Sequence, residues 1–296
     1  MAKNTLVRNT LILIISSLLI KIMGLANRVI LTRLLGNEGI SLYMLTLPSI
    51  MLFITLGSLS LNITITKLIA VNNSKDVLKK GIKIAVVSSL IVALILLIII
   101  KPLANSWLKQ PATFFPILLT IPLITLSAIN SVLRGYYNGI KKVNITSISI
   151  LIEQIIRIGA SVLLLIEFID KGIVFAVSIA VLAMSIGEIA SIIYIIIKLK
   201  KYKPINIGSC SDKEILKVAI PITASRLFGN VTYFLEPIIF TLSLTILNVN
   251  NQDIMFKYSE VNAYSLPLIT MFSFISSSIA TAIIPHVATS TRSQVA

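Results

Sequence analysis

KIMGLANRVILTRLLGNEG, residues 21–39, decides how this chain is read. It continues an apolar run that begins near residue 8, yet it carries Lys21, Arg28 and Arg33. The surrounding composition makes those cations conspicuous. The 296 residues are 56% hydrophobic and 12% charged, with mean hydropathy +0.97. Apolar runs of about twenty residues recur along the whole sequence, which is the signature of transmembrane helices. The first run is too long for a cleavable signal peptide, lacks a small-residue cleavage site and leads into a second span.

The pattern predicts eight helices, over 8–34, 41–70, 82–100, 112–133, 143–166, 172–198, 214–246 and 259–289. Pro48, Pro116, Pro122, Pro221, Pro237, Pro267 and Pro285 are the expected breaks, and breaks within spans often line a cavity. Net charge is +15, but it lies mostly in short loops, where it sets orientation rather than binding nucleic acid. Sixteen of the 26 basic residues fall on one side, among them Lys75, Lys79, Lys80, Lys83, Arg134, Lys141, Lys142, Lys198 and Lys213. Five fall on the other, and five lie within spans. The positive-inside rule then puts the N-terminus in the cytoplasm. The single cysteine, Cys210, leaves no intramolecular disulfide and no cysteine metal cluster. No cofactor and no metal are expected.

An internal repeat runs through the pattern. Setting Lys21 against Arg226 aligns Gly24 with Gly229. Setting Pro48 against Pro267 aligns Ile50 with Ile269, Phe53 with Phe272 and Lys67 with His286. The expected architecture is an all-α polytopic membrane protein in which a six-helix lobe is followed by the first two helices of a second. Residues 1–200 form the first lobe, 201–213 a cytoplasmic linker and 214–296 the start of the second. On this reading the chain is a truncated copy of a longer protein; the alternative is an eight-helix protein. Transporters built from such repeats bind substrate at the lobe interface.

KIMGLANRVILTRLLGNEGISLYMLTLP, ITKLIA, RGYYNGIKK (134–142), IEQIIRIGASVLLL (152–165) and AIPITASRLFG (219–229) together resemble the stage V sporulation protein B-like family of polysaccharide-biosynthesis flippases. That family sits in the larger group of lipid II flippases and multidrug and toxin extruders. The resemblance implies about fourteen helices in two lobes, alternating access, and a polyprenyl-pyrophosphate-linked saccharide as cargo. It also implies a bacterial cell membrane location and, for the sporulation branch, a link to spore-cortex peptidoglycan. Helix-1 cations are essential in the lipid II flippases, which the resemblance extends to Lys21 and, less directly, to Arg28.

The cations can be placed by counting. A helix rises about 1.5 Å per residue, so Lys21 lies roughly 20 Å beyond Arg8, near mid-bilayer, and Arg28 near the outer interface. By the same count Arg157 and Arg226 are about 22 and 18 Å deep. A cation at that depth costs at least about 2.5–3.5 kcal/mol and must face a wet cavity, an acid or an anionic ligand. Lys21, Arg28 and Arg226 are therefore the expected substrate-binding cations, with Lys21 and Arg226 facing each other around a pyrophosphate. The bland reading pairs Lys21 with Glu188 or Glu236. Glu153 and Arg157 are four apart with the acid first, the favourable order for an intrahelical pair, and read as structural; the other reading is a pair that breaks during transport. Lys67 reads as a snorkelling interfacial residue and His286 as a polar helix end. Glu188 and Glu236 are candidates for a coupling ion, Na+ or H+. RGYYNGIKK reads as a tight cytoplasmic turn, with Gly135 and Gly139 bending the chain and tyrosines at headgroup level.

The expected partners are thus the lipid-linked saccharide, membrane lipids and a coupling ion. A multidrug antiporter of the same fold is the runner-up, but organic cations would need an acidic cavity. A non-transporting scaffold is a further alternative. A membrane glycosyltransferase would need clustered Asp, Glu or His, and the acids are scattered. No nucleotide-binding Gly-rich lysine loop is present, so the chain is not itself an ATPase.

Overall fold

The computed structural model describes residues 2–71, 74–200, 209–273, 275–276, 279–281 and 283–284, with side chains from residue 11 onward except at 264, 267 and 271. His286 lies outside the described residues. The described chain is helical almost throughout, and six stretches of it are long and apolar enough to cross a bilayer. The first, Leu11–Val71, is 61 residues long. A straight helix of that length would measure about 90 Å, three times the hydrocarbon core. It is broken at Gly36, whose φ of 66° and ψ of −176° interrupt helix α1 (Ala2–Ser58). Only glycine takes that conformation without steric cost. The GNEG turn of the opening stretch thus separates two crossings.

Four further spanning helices follow: α3 (Lys75–Pro102), α5 (Thr120–Gly139), α6 (Val143–Phe168) and α7 (Ile173–Leu199). Helix α8 (Asp212–Ile246) comes next among the described residues. Short helices α2 (Leu61–Val71), α4 (Phe114–Leu118), α9 (Asn251–Glu260) and α10 (Leu266–Ile269) complete the set. The chain is therefore an all-α polytopic membrane protein.

Several expected boundaries move. The third helix begins at Lys75 rather than 82, because the Ser74 hydroxyl accepts the Asp76 backbone N–H and caps it there. Helix α8 begins with a capping box: Ser211 and Glu214 exchange side-chain and backbone hydrogen bonds. The second expected helix does not run unbroken over 41–70. Leu59 and Ser60 both have positive φ, 45° and 49°, and divide α1 from α2. Pro48, an expected break, lies inside α1 instead. The eighth expected helix, 259–289, begins at Asn251, passes through a π-helical turn at Val261–Ser265 and a 3-10 turn at Met271–Ser273, and is not continuous. Pro267, at the start of α10, cannot donate the backbone hydrogen bond that continuity requires.

The RGYYNG segment corrects the sequence reading most sharply. It is not a turn: α5 continues through Gly139. Gly135 and Gly139 are contact points. A Cβ on Gly135 would sit 2.7 Å from the Asn62 carbonyl oxygen, and one on Gly139 would sit 2.7 Å from Ile69 Cβ. Their bareness lets α5 press against α2. Tyr136 and Tyr137 are fully buried there rather than lying at headgroup level.

Two apolar cores stack along the bundle. One joins α1 after Gly36 to α3, α7, α8 and α9; the other joins α2, the start of α3, the end of α5 and the start of α8. Outward faces remain apolar: Ile98, Leu163 and Phe228 are 77%, 72% and 80% exposed.

Cys210 is buried beside the second core, and its backbone carbonyl accepts from Lys80 Nζ at 2.5 Å. Burial, with the neighbouring Glu214, pushes its thiol up to about 11. Because only the thiolate is nucleophilic, maleimide should label Cys210 slowly at pH 7–8 and rapidly only after unfolding. Rapid labelling of the folded protein, followed by mass spectrometry, would contradict this placement.

Candidate functional site

Helix α1 carries Lys21, Asn27 and Arg28 to a cavity of about 260 Å³. Gly24 on α1, Tyr43 and Met51 beyond the Gly36 break, Gln154 and Arg157 on α6, Met184 on α7 and Thr270 at the end of α10 supply other parts of its wall. The spacing of Lys21, Gly24 and Arg28 is three and four residues, so all three share one helix face. Gly24 has nothing within 4 Å of where a Cβ would stand, which leaves the space between the two cations open. Met51 and Thr270 are partners in the Pro48–Pro267 alignment, and both reach this cavity.

The three cations differ in how they are held. Lys21 Nζ donates only weakly to Ser273 Oγ, at 3.4 Å. Among the described residues it has no carboxylate within ion-pair distance, so it pairs with neither Glu188 nor Glu236. Arg28 Nη1 donates to the Asn262 carbonyl at 2.6 Å. Asn262 in turn donates through Nδ2 to Glu236 Oε1 at 3.0 Å. Glu236 thus reaches Arg28 through one amide residue, not directly. Asn27 Oδ1 is buried at the same wall with no hydrogen-bond partner.

Arg157 belongs to a buried network that runs away from the cavity. Its expected partner Glu153 lies at 3.9 Å, the outer limit of an ion pair. The second oxygen of Glu153 is taken at 2.7 Å by Arg134, whose guanidinium also donates to Ser191 at 2.8 Å. Arg134 is therefore an interior residue of α5, not the loop cation that its RGYYNG setting implied. Glu188 accepts from Asn130 Nδ2 at 2.5 Å, and Asn130 also donates to Ser191 Oγ at 3.0 Å. Arg157 hydrogen-bonds Gln154 Oε1 on its own helix, while its Nε is buried without a partner.

Gly187 makes this network possible. A Cβ there would stand 2.8 Å from the Glu153 carbonyl oxygen and 3.1 Å from Arg157 Cβ. Alanine must push α7 away from α6, at a cost of about 1–3 kcal/mol. Gly187→Ala should lower the unfolding midpoint in detergent, whereas Gly24→Ala, facing open space, should not. Equal stability of the two variants would show that α6 and α7 are less tightly apposed.

Arg226 lies exposed on α8 and is not in the wall of this cavity. Lys67 is exposed on α2. The structure thus gathers Lys21, Arg28 and Arg157 and sets Arg226 apart. Arg134 and Gly187 were missed by sequence reasoning. The pattern [Gly135, Gly139] in a span, at four-residue spacing, was the available signal for close packing.

Comparison with known proteins places this architecture. Stage V sporulation protein B of Bacillus subtilis (strain 168) is 33% identical, over 97% of this chain and 59% of that protein. The lipid II flippase MurJ of the same organism is 24% identical, over 67% of this chain and 40% of its own length. The chain thus spans about three-fifths and two-fifths of these relatives. A crystal structure of MATE in complex with Br-NRF shares the fold, with TM-score 0.60 and 15% identity over 97% of this chain and 70% of that one. The polysaccharide biosynthesis protein family matches residues 6–290, nearly the whole sequence, and the chain belongs to it.

Proposed function

We propose that this chain is a flippase that moves a polyprenyl-diphosphate-linked saccharide outward across the bacterial cell membrane. The observation that carries the proposal is the cavity in which Lys21 and Arg28 stand on one helix face, with no direct carboxylate partner among the described residues. Cations so placed are costly without an anion, and a diphosphate supplies one. Lysine offers a compact point charge, and arginine a fork for two phosphate oxygens. The polyprenyl tail would stay in lipid while the headgroup enters the cavity.

Residues 1–200 act as the first lobe and 214–296 as the start of the second, joined by 201–213. Met51 and Thr270, matched in the repeat, meeting at one cavity supports a site between the lobes. The basic residues at the start of α3 and α8 face the cytoplasm on this reading, and so does the N-terminus. Glu236, linked to Arg28 through Asn262, is placed to couple an ion to substrate binding. Reaction chemistry is not required, because the cargo crosses without a bond being made or broken.

The test uses vesicles containing the purified protein and a fluorescent polyprenyl-diphosphate saccharide, with a membrane-impermeant quencher reporting the leaflet. Protein-dependent movement of this lipid, but not of a fluorescent phosphatidylglycerol, is the expected result. Equal movement of both lipids, or of neither, would overturn the reading.

A further inference from the structure

Glu153 has two arginines within reach and holds more tightly the one that is not in the cavity wall. Arg134 is bound at 2.7 Å through one carboxylate oxygen, and Arg157 stands at 3.9 Å from the other. Arg134 is further fixed by Ser191 at 2.8 Å and Ser149 at 3.3 Å, so its position is settled by three partners. Arg157 is left with an amide, Gln154, and a buried Nε that donates to nothing. Its side chain is 16% exposed and forms part of the same wall as Lys21 and Arg28. An intrahelical acid four residues earlier would ordinarily neutralise this arginine. Here a competing cation on α5 holds one oxygen of that acid at 2.7 Å, and Arg157 is left at the 3.9 Å limit from the other.

We infer that Arg157 is a third ligand-binding cation of the cavity, which selects a diphosphate over a monophosphate, and that Arg134 keeps it available by occupying Glu153. The inference rests on the flippase reading above and adds a residue on a second helix to it. Lys21 and Arg28 project from α1, whereas Arg157 projects from α6, so the three cations approach the ligand from two walls. A single phosphate can satisfy the α1 pair. A second phosphate, one bridging oxygen further on, gives the α6 guanidinium its own anionic oxygens. Arg134 is a positioning residue in this arrangement and touches no ligand.

The experiment measures equilibrium binding of polyprenyl diphosphate and polyprenyl monophosphate to the purified protein in nanodiscs. Arg157→Gln should weaken diphosphate binding about tenfold and monophosphate binding less than threefold. Arg157→Lys should recover part of the diphosphate affinity, since it restores charge without the fork. Glu153→Gln, measured on protein whose unfolding midpoint shows that it is folded, should raise diphosphate affinity, because its amide oxygen still accepts from Arg134 while its neutral head no longer attracts Arg157. If Arg157→Gln changes diphosphate binding less than twofold while Lys21→Ala weakens it, the third-cation inference fails and the flippase reading stands. Equal weakening of both ligands by Arg157→Gln, or equal loss in Glu153→Gln, also overturns it, since Arg157 would then act only as structure. If Lys21→Ala, Arg28→Ala and Arg157→Gln all leave binding unchanged, the flippase reading itself fails.

Discussion

Arg28→Ala should weaken binding of a polyprenyl diphosphate by about 10- to 150-fold. Hydrogen bonds to charged groups contribute about 1.5–3 kcal/mol, and each 1.4 kcal/mol is tenfold in affinity. The Asn262 carbonyl, which accepts from Arg28 at 2.6 Å, is a neutral partner, and among the described residues the guanidinium makes no ion pair. Lys21→Ala should cost less, roughly tenfold, because a point charge loses attraction but no fork geometry. Lys21→Arg should be milder still. The double variant tests whether the two share one ligand: residues gripping the same diphosphate should show non-additive losses, and independent sites should add. Raising ionic strength should weaken the wild type more than the double variant, because fewer charges remain to be screened.

The second large effect is on stability. Arg134→Ala should destabilise the folded protein by about 3–5 kcal/mol, the usual cost of removing one partner from a buried ion pair. Its loss leaves Glu153, only 11% exposed at the side chain, with Arg157 at 3.9 Å as its remaining cation, and takes a donor from Ser191. Replacing both charges, Arg134→Met with Glu153→Leu, should cost much less, because the tight 2.7 Å pair is removed as a whole and only the looser Arg157 contact is lost with it. Denaturant titration in mixed micelles separates the two. Comparable stability of the single and double variants would mean that the pair is solvated rather than buried. The exposed Lys83–Asp212 bridge at 2.9 Å offers a control: Lys83→Ala should change stability by less than about 1 kcal/mol.

The difference between those two ion pairs also marks where sequence reading succeeds and where it stops. Lys21 and Arg28 stood out in the sequence because the apolar run around them gave no local way to neutralise them. Their spacing around Gly24 already put them on one helix face, and the structure gathers them at one cavity. Arg157 gave the opposite signal. Glu153 lies four residues before it, so a local pair explained the charge, and nothing in the spacing revealed that Arg134 would claim the acid from another helix. Arg134 itself was hidden by its neighbours: two glycines, two tyrosines and nearby lysines read as a turn. Only the contact of Gly135 with the Asn62 carbonyl, 73 residues away in sequence, shows that the glycines are packing points inside α5.

Backbone breaks divide the same way. Gly36 was legible as the join between two spans, since GNEG interrupts an apolar run. The break at Leu59 and Ser60 was not, because neither residue favours positive φ and the helical pattern continues across it. Pro48 was the wrong suspect. A proline in a span signals that one backbone hydrogen bond is missing, and α1 tolerates that loss without ending. The repeat was legible as a weak alignment, and its Met51–Thr270 pairing reaches the cavity wall from both sides.

The affinity of the purified protein for polyprenyl diphosphate, wild type against Lys21→Ala/Arg28→Ala, tests the central claim most directly. The account predicts saturable binding to the wild type and binding to the double variant that is weaker by more than about tenfold, with the fold intact by thermal unfolding. Undiminished binding to a folded double variant would contradict it, because the diphosphate would then be held somewhere other than the cavity that Lys21 and Arg28 line.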